Sequence, residues 1–424
     1  MTNDVIIAGG GVAGSAVAAA LGGFGFRVLL VEPGLQHPRR LAGELIHPPG
    51  VSDLAKLGLL DSLEEAGGAP VYGFAALPSR HLLPYKDVPG LPPQGMAIEH
   101  AVMAEALLST VSKLPHVTLW RGARITDIDL NRTEHATVTV SYDGSEDQLN
   151  ARLLVAADGR SSHLRGIAGI RHRQVQLSSM AGYLLKEATL PHPGFGHVFA
   201  GGPSPVLAYH LGSGNTRIMF DLPKPEHSTA CVDALPEVLQ RDVKKAMETQ
   251  TPLRAANSSV VPEAVVKGRM VCVGDAGGCC HPLTATGLSA CTRDAMLLQK
   301  ALRETAVEIP KALRRYARLR EGPQRTRLVS ANALYDVFRA QSPEMRLLRQ
   351  GLFRYWQLPR GRKSTMSLLC THEERRWVMI REYLQVCGYA LPGLLQSGPT
   401  RSHTMVGLSR ALLRFVGEAC VGYK

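Results

Sequence analysis

The stretch Val5-Ile6-Ile7-Ala8-Gly9-Gly10-Gly11-Val12-Ala13-Gly14 decides the fold. Its first four residues are apolar, as in a strand buried on both faces of a parallel sheet. The glycines that follow have GxGxxG spacing, and Ser15–Leu21 is an alanine-rich run of helical composition. In such a setting Gly9 permits a tight turn, and Gly11 lets the backbone approach a pyrophosphate. Gly14 lets the helix pack closely on the strand. Val12 and Ala13 open that helix, whose N-terminus faces the phosphates. A second apolar run, Arg27–Val31, ends at Glu32, about 20 residues on, where a carboxylate reaches ribose hydroxyls. Strand, turn, helix and acid together predict a Rossmann-type dinucleotide-binding unit, without separating NAD from FAD.

Two later segments extend the pattern. Leu153–Ala157 reads as a buried strand that ends in Asp158-Gly159, and Ser162 and Arg165 complete DGxxSxxR. Met270–Val273 is another strand, followed by Gly274-Asp275-Ala276, then His281-Pro282-Leu283-Thr284, then Gly287-Leu288 opening a helix. Each segment brings an acid or a helix N-terminus to the carboxyl edge of the sheet, where open α/β folds bind ligands. Asp275 is expected to take the ribityl or pyrophosphate end. Pro282 and the Gly287-Leu288 N–H groups are expected at the flavin ring. The three fingerprints resemble those of the flavoprotein aromatic hydroxylase superfamily, which implies bound FAD. The single GxGxxG fits a family in which NAD(P)H visits without a Rossmann domain of its own.

A narrower resemblance runs through the rest of the chain. Arg40-Leu41-Ala42-Gly43-Glu44-Leu45-Ile46-His47-Pro48-Pro49-Gly50, Ser204-Pro205-Val206-Leu207-Ala208-Tyr209 and Ala331-Asn332-Ala333-Leu334-Tyr335 resemble ordered motifs of squalene epoxidases. So do His281–Thr284 and Leu352-Phe353-Arg354-Tyr355. His47 stands where that family has Gln, and His100 where an Arg contacts the flavin. Ala285-Thr286 replace two of three glycines, and Arg360-Gly361-Arg362-Lys363 replaces a glycine-rich stretch. The resemblance implies that Arg40, Glu44 and His100 lie at the cofactor, and that FAD, NAD(P)H and O2 serve a monooxygenase. One oxygen atom would go to a hydrophobic isoprenoid or prenylated aromatic substrate, quinone- or quinolone-like, by epoxidation or hydroxylation, with a place in antibiotic biosynthesis. Squalene epoxidation proper and a flavin-dependent geranylgeranyl reductase are the alternatives.

Tyr85, in Leu83-Pro84-Tyr85, matches a tyrosine that the family places near the flavin. A phenol there could orient or protonate a departing hydroxide. Its expected partner is His47, with titration near neutral pH. The plainer alternative for Tyr85 is a loop tyrosine that caps the core. His281 reads as a turn residue beside Pro282, and Cys279 and Cys280 as small packing residues.

Composition sets the remaining bounds. The chain has 424 residues with 45% hydrophobic and 20% charged, a globular balance. The net charge is +12, and residues 301–424 hold 22 Lys and Arg against 9 Asp and Glu. A basic excess at one end points to a polyanionic surface. Aromatics are only 5% and no nucleic-acid-binding module is recognised, so an anionic membrane face is expected in place of nucleic acid. Within Val406–Val416, Leu408, Ala411, Leu412, Phe415 and Val416 fall on one side of a helical wheel, opposite Arg410 and Arg414. That apolar side suits a membrane interface, with an ordinary helix packed on the enzyme's own core as the plainer alternative. Truncation after about Gly388 is then expected to release the protein from membranes with its flavin in place. None of the eight cysteines forms a CxxC pair, and no Cys/His run has metal spacing. No secretory leader or membrane-spanning run is visible. The expected location is cytoplasmic and peripheral to a membrane, with a separate reductase as a further partner.

The fold expected is α/β: a Rossmann-type FAD-binding domain, an antiparallel β-sheet substrate domain and C-terminal helices. Residues 1–70, 96–168 and 264–330 are assigned to the first. Residues 71–95 and 169–263 are assigned to the second, with a hairpin turning at Gly212–Asn215, and 331–424 to the third.

Overall fold

The computed structural model describes residues 3–78, 81–222, 228–395 and 401–421. Strand Asn3–Ala8 lies at the centre of a parallel array, between Val28–Glu32 on one side and Ser145–Ala156 on the other. Val117–Arg121 and Met270–Cys272 extend the array at its two ends. Every apolar residue of the central strand is used. Val5 and Ile7 face a core formed with helices Val12–Gly22, His100–Val111 and Gly287–Glu304, while Ile6 and Ala8 face a second core behind the sheet. Burial on both faces is why this segment reads as a continuous apolar run and not as an alternation.

A second sheet has seven strands, antiparallel except where Gly196–Phe199 pairs in parallel with Gly73–Leu77. Its central hairpin joins Val206–Gly212 to Asn215–Leu222. Here the pattern alternates. Leu207, Tyr209 and Leu211 point to the C-terminal helices, whereas Val206 and Ala208 point to a core covered by helix Glu237–Thr249. A long helix, Ile309–Arg339, leaves the nucleotide-binding sheet and leads to helices Pro343–Trp356, Pro359–Leu369, Arg376–Leu395 and Arg401–Val421.

Those last helices correct one expectation. Ala411 and Phe415, placed by the helical wheel on a membrane-facing side, are buried against the protein's own helices, and Phe415 stacks on Tyr383 at 4.1 Å. Arg414 is paired with Asp336. Leu408 packs against the same interior, so this face lies on the protein's own core.

Candidate active site

The glycine turn is built tightly. Gly9 has φ +100°, and a Cβ on Gly14 would stand 1.8 Å from the Gly9 carbonyl oxygen. A Cβ on Gly11, by contrast, would meet nothing within 4 Å. The helix Val12–Gly22 that starts there has no side-chain cap, so its first N–H groups are free for an anion. Glu32 ends the neighbouring strand, and its carboxylate accepts from Gly10 N–H at 2.6 Å and Gly34 N–H at 2.8 Å. Asp158 accepts from Leu164 N–H through one oxygen, and its other oxygen is buried without a partner. Gly159 follows in a left-handed turn, φ +82°.

The Gly274–Gly278 loop is held from behind. Arg320 donates to both oxygens of Asp294 and to the carbonyls of Gly277 and Gly274, and Asp294 in turn accepts from Gly274 N–H. Arg165 ties the Asp158 turn to the same loop by donating to the Ala276 carbonyl at 2.8 Å. Asp275 is half-buried on that loop. Further on, His281 accepts from Leu283 N–H and its Nε2 lies 3.2 Å from Asp221, in a buried group with Ser178 and Asn257. Its ring stacks on Tyr335 at 3.9 Å. His281 is thus a turn-fixing residue that pins Pro282–Thr284 to the second sheet. Helix Gly287–Glu304 then starts without a side-chain cap, and a Cβ on Gly287 would meet nothing within 4 Å. Leu288 packs beside Gly43.

Open space at Gly11 and Gly287, two uncapped helix starts and an orphan Asp158 oxygen all lie on the nucleotide-binding unit. Those features fit an extended dinucleotide such as FAD. Gly9, Gly11, Val12, Ala13 and Gly14 would hold its pyrophosphate, with Glu32 near a ribose.

His47 and Tyr85 meet in full burial. The Tyr85 hydroxyl lies 3.0 Å from His47 Nδ1, and His47 Nε2 lies 2.7 Å from the Thr284 carbonyl oxygen. A carbonyl only accepts, so Nε2 carries the proton and Nδ1 is the acceptor. Tyr85 therefore donates to His47. The Cys370 thiol, from the turn after helix Pro359–Leu369, reaches the same nitrogen at 3.6 Å. Burial depresses His47 to about 4, against the near-neutral titration expected from its residue type, and only the Thr284 carbonyl opposes it. Burial also pushes the Tyr85 phenol well above 10. Both groups are neutral at physiological pH.

The segment Arg40–Glu44 differs from expectation in its partners. Glu44 is buried, accepting from Arg217 at 2.8 and 2.9 Å and from the Tyr209 hydroxyl at 3.2 Å, so its carboxylate bolts the segment to the second sheet. His100 donates from Nδ1 to the Gly43 carbonyl, and its Nε2 lies 3.3 Å from Arg40. Burial holds His100 down at about 4. Arg217, Asp294, Arg320 and Cys370 carry no local sequence signal of a site role, because each acts through a partner far along the chain.

Beside Thr284 lies a cavity of about 40 Å³, lined by Phe74, Leu83, Leu283, Phe338 and Trp356 among others, nearly all apolar. Among the described residues no cluster of His, Cys, Asp and Glu could hold a metal ion.

Comparison with known proteins places this arrangement. The family description "Squalene epoxidase" matches residues 150–406. A squalene epoxidase of Aspergillus fumigatus is 31% identical, over 90% of this chain and 87% of the relative. A squalene monooxygenase of Mus musculus is 29% identical, over 93% of this chain and 73% of the relative. The crystal structure of p-nitrophenol 4-monooxygenase from Pseudomonas putida shares the fold at a TM-score of 0.74 and 19% identity, covering 87% of this chain and 98% of its own. The chain belongs to the squalene epoxidase family, and it is an FAD-dependent monooxygenase that uses NAD(P)H and O2.

Proposed function

We propose that this monooxygenase epoxidises an alkene of a long isoprenoid substrate. The observation that carries this reading is the apolar cavity beside Thr284. When bound and reduced, FAD supplies an activated oxygen atom derived from O2. The protein supplies position and dryness. Phe74, Leu83, Phe338 and Trp356 exclude water from the cavity. His47 and Tyr85 fix the Thr284 carbonyl at its edge, and with it the turn that leads to Gly287. The cavity has room for a few waters only, so binding a long chain would require the covering helices to part.

Squalene is the first substrate candidate, supported by the family likeness. A prenylated quinone or quinolone is the second. It is favoured by the Thr286 hydroxyl, which stands where the family pattern has glycine and lies 3.2 Å from the Thr284 hydroxyl, because a hydroxyl suits a ring carbonyl. The test is O2 uptake by the detergent-purified protein with NAD(P)H and a reductase, with both substrates offered. A product heavier by one oxygen atom names the substrate class. No oxygenated product from either removes the isoprenoid reading.

Peripheral membrane contact forms part of the same proposal. Trp377, Leu384, Leu391 and Leu395 are exposed and recur at helical spacing along one stripe of Arg376–Leu395. Arg375 and Arg381 flank the Trp377 ring, each 5.1 Å from its centroid. An aromatic residue with cations beside an apolar stripe suits a headgroup boundary. Among the described residues, no helix is long and apolar enough to cross a membrane.

A further inference from the structure

Among the described residues, two buried arginines pair with a carboxylate and two have only carbonyl partners; of these, Arg327 has the fewer partners. Arg217 has Glu44, Arg320 has Asp294, and Arg165 has two carbonyls. Arg327, on helix Ile309–Arg339, is only 3% exposed. One nitrogen, Nη2, donates to the Gly278 carbonyl at 2.5 Å, while Nε and Nη1 are buried without partners. Among the described residues, no carboxylate lies within ion-pair distance of it. The nearby Gln324 side-chain nitrogen, 3.1 Å from where a Gly278 Cβ would stand, is likewise buried and unpartnered. An uncompensated guanidinium in a low-dielectric interior is costly, by several kcal/mol in general, so a charge of this kind is retained against a standing penalty.

Its location gives it a target. The Arg327 charge acts on three thiols around the cofactor loops. Burial pushes Cys279 up to about 12 and also raises Cys280 and Cys291, while Arg327 pulls all three back. Cys279 and Cys280 sit between the Gly274–Gly278 loop and His281. Cys291 lies one turn inside helix Gly287–Glu304, where a Cβ on Gly274 would approach its sulfur to 3.0 Å. Arg327 therefore stands behind the turn that joins Asp275 to the uncapped helix start at Gly287. That helix start already favours negative charge through its free N–H groups.

We infer that Arg327 is a positioning charge for the flavin: it adds to the field of the Gly287 helix start and stabilises the negative charge that the flavin gains on reduction. In that reduction NAD(P)H gives up a hydride and leaves as NAD(P)+, so two electrons and one proton pass to the flavin and its net charge becomes more negative by one. A fixed cation nearby, little screened by water, favours the reduced form. The inference rests on the flavin reading of the cleft.

The experiment is the midpoint potential of the bound flavin in the full-length protein, measured by reductive titration against a reference dye. The parent's visible spectrum tests the flavin reading separately, since a colourless parent that takes up no FAD would fail there and not at Arg327. Arg327→Gln keeps a donor for the Gly278 carbonyl and removes the charge; Arg327→Lys keeps the charge. The expected result is a lower potential in Arg327→Gln and a potential near the parent's in Arg327→Lys. An unchanged potential in Arg327→Gln, or an equal fall in both, overturns the inference and leaves Arg327 as a loop tether. If Arg327→Gln loses FAD, Arg327→Lys decides: the parent's potential supports the charge role, and a lowered one overturns it.

Discussion

Tyr85 donates its hydroxyl hydrogen bond to His47, not the reverse. The direction follows from the Thr284 carbonyl, which can only accept and so places the imidazole proton on Nε2. Tyr85 is then a donor already committed within the protein, and its remaining capacity is to accept. The phenol serves geometry: it fixes the ring that fixes the Thr284 turn.

Tyr85→Phe should therefore lower kcat without removing an acidic or basic limb from its pH profile. The buried His47 Nδ1 keeps only the weak thiol donor of Cys370, so stability should fall by about 1–3 kcal/mol. A pH–rate profile that loses a limb in Tyr85→Phe would mark Tyr85 as a proton donor in the reaction.

His47 also links stability to pH. Its depression from 6.5 to about 4 in the folded state means that the unfolded chain binds more protons between those values. Stability from this group is thus present above about 6.5 and lost as pH falls toward 4, by about 3 kcal/mol. His47→Gln should flatten that part of a denaturant-midpoint curve against pH. A curve of unchanged slope would show that His47 titrates normally.

The glycine turn offers a contrast between fold and ligand. Gly14→Ala puts a methyl into the Gly9 carbonyl and should give an unstable, colourless protein. Gly11→Ala meets open space, so it should fold with parent-like thermal stability as apoprotein and bind FAD at least tenfold more weakly. FAD titration by fluorescence quenching, beside thermal melts of both apoproteins, separates the two.

The Glu44–Arg217 pair is buried on both sides. Arg217→Met alone should cost about 3–5 kcal/mol, because it strands a carboxylate, while the double replacement Glu44→Leu with Arg217→Met should cost less than the single change. Urea unfolding of the three proteins measures this. Equal losses would mean that Glu44 finds another partner.

Removal of the chain after Gly388 would take out Ala390, Leu394 and Phe415, which are packed in the interior, so a truncated protein should melt early. The membrane proposal is better tested on the exposed stripe. Trp377→Ser with Leu391→Ser should reduce sedimentation with anionic vesicles and leave the thermal midpoint unchanged. Undiminished sedimentation would move the contact elsewhere.

Local physics made part of this protein legible from its residues alone. GxGxxG requires glycine for steric reasons confined to a few neighbouring atoms, and the two-faced burial of Val5–Ala8 leaves an unbroken apolar run. The Gly212–Asn215 turn is visible because alternation on either side resolves into two faces. Tertiary structure decided what depends on distant neighbours. The residue type of His47 implies titration near neutrality, and only its enclosure by Thr284, Tyr85 and Cys370 makes it a neutral tether. Glu44 could belong to a cofactor or to a partner, and Arg217, 173 positions on, takes it. The apolar side of the last helix could meet lipid or protein, and Tyr383 meets it first. A charge or an apolar face has its energy set by what surrounds it, and those surroundings are assembled from segments hundreds of residues apart.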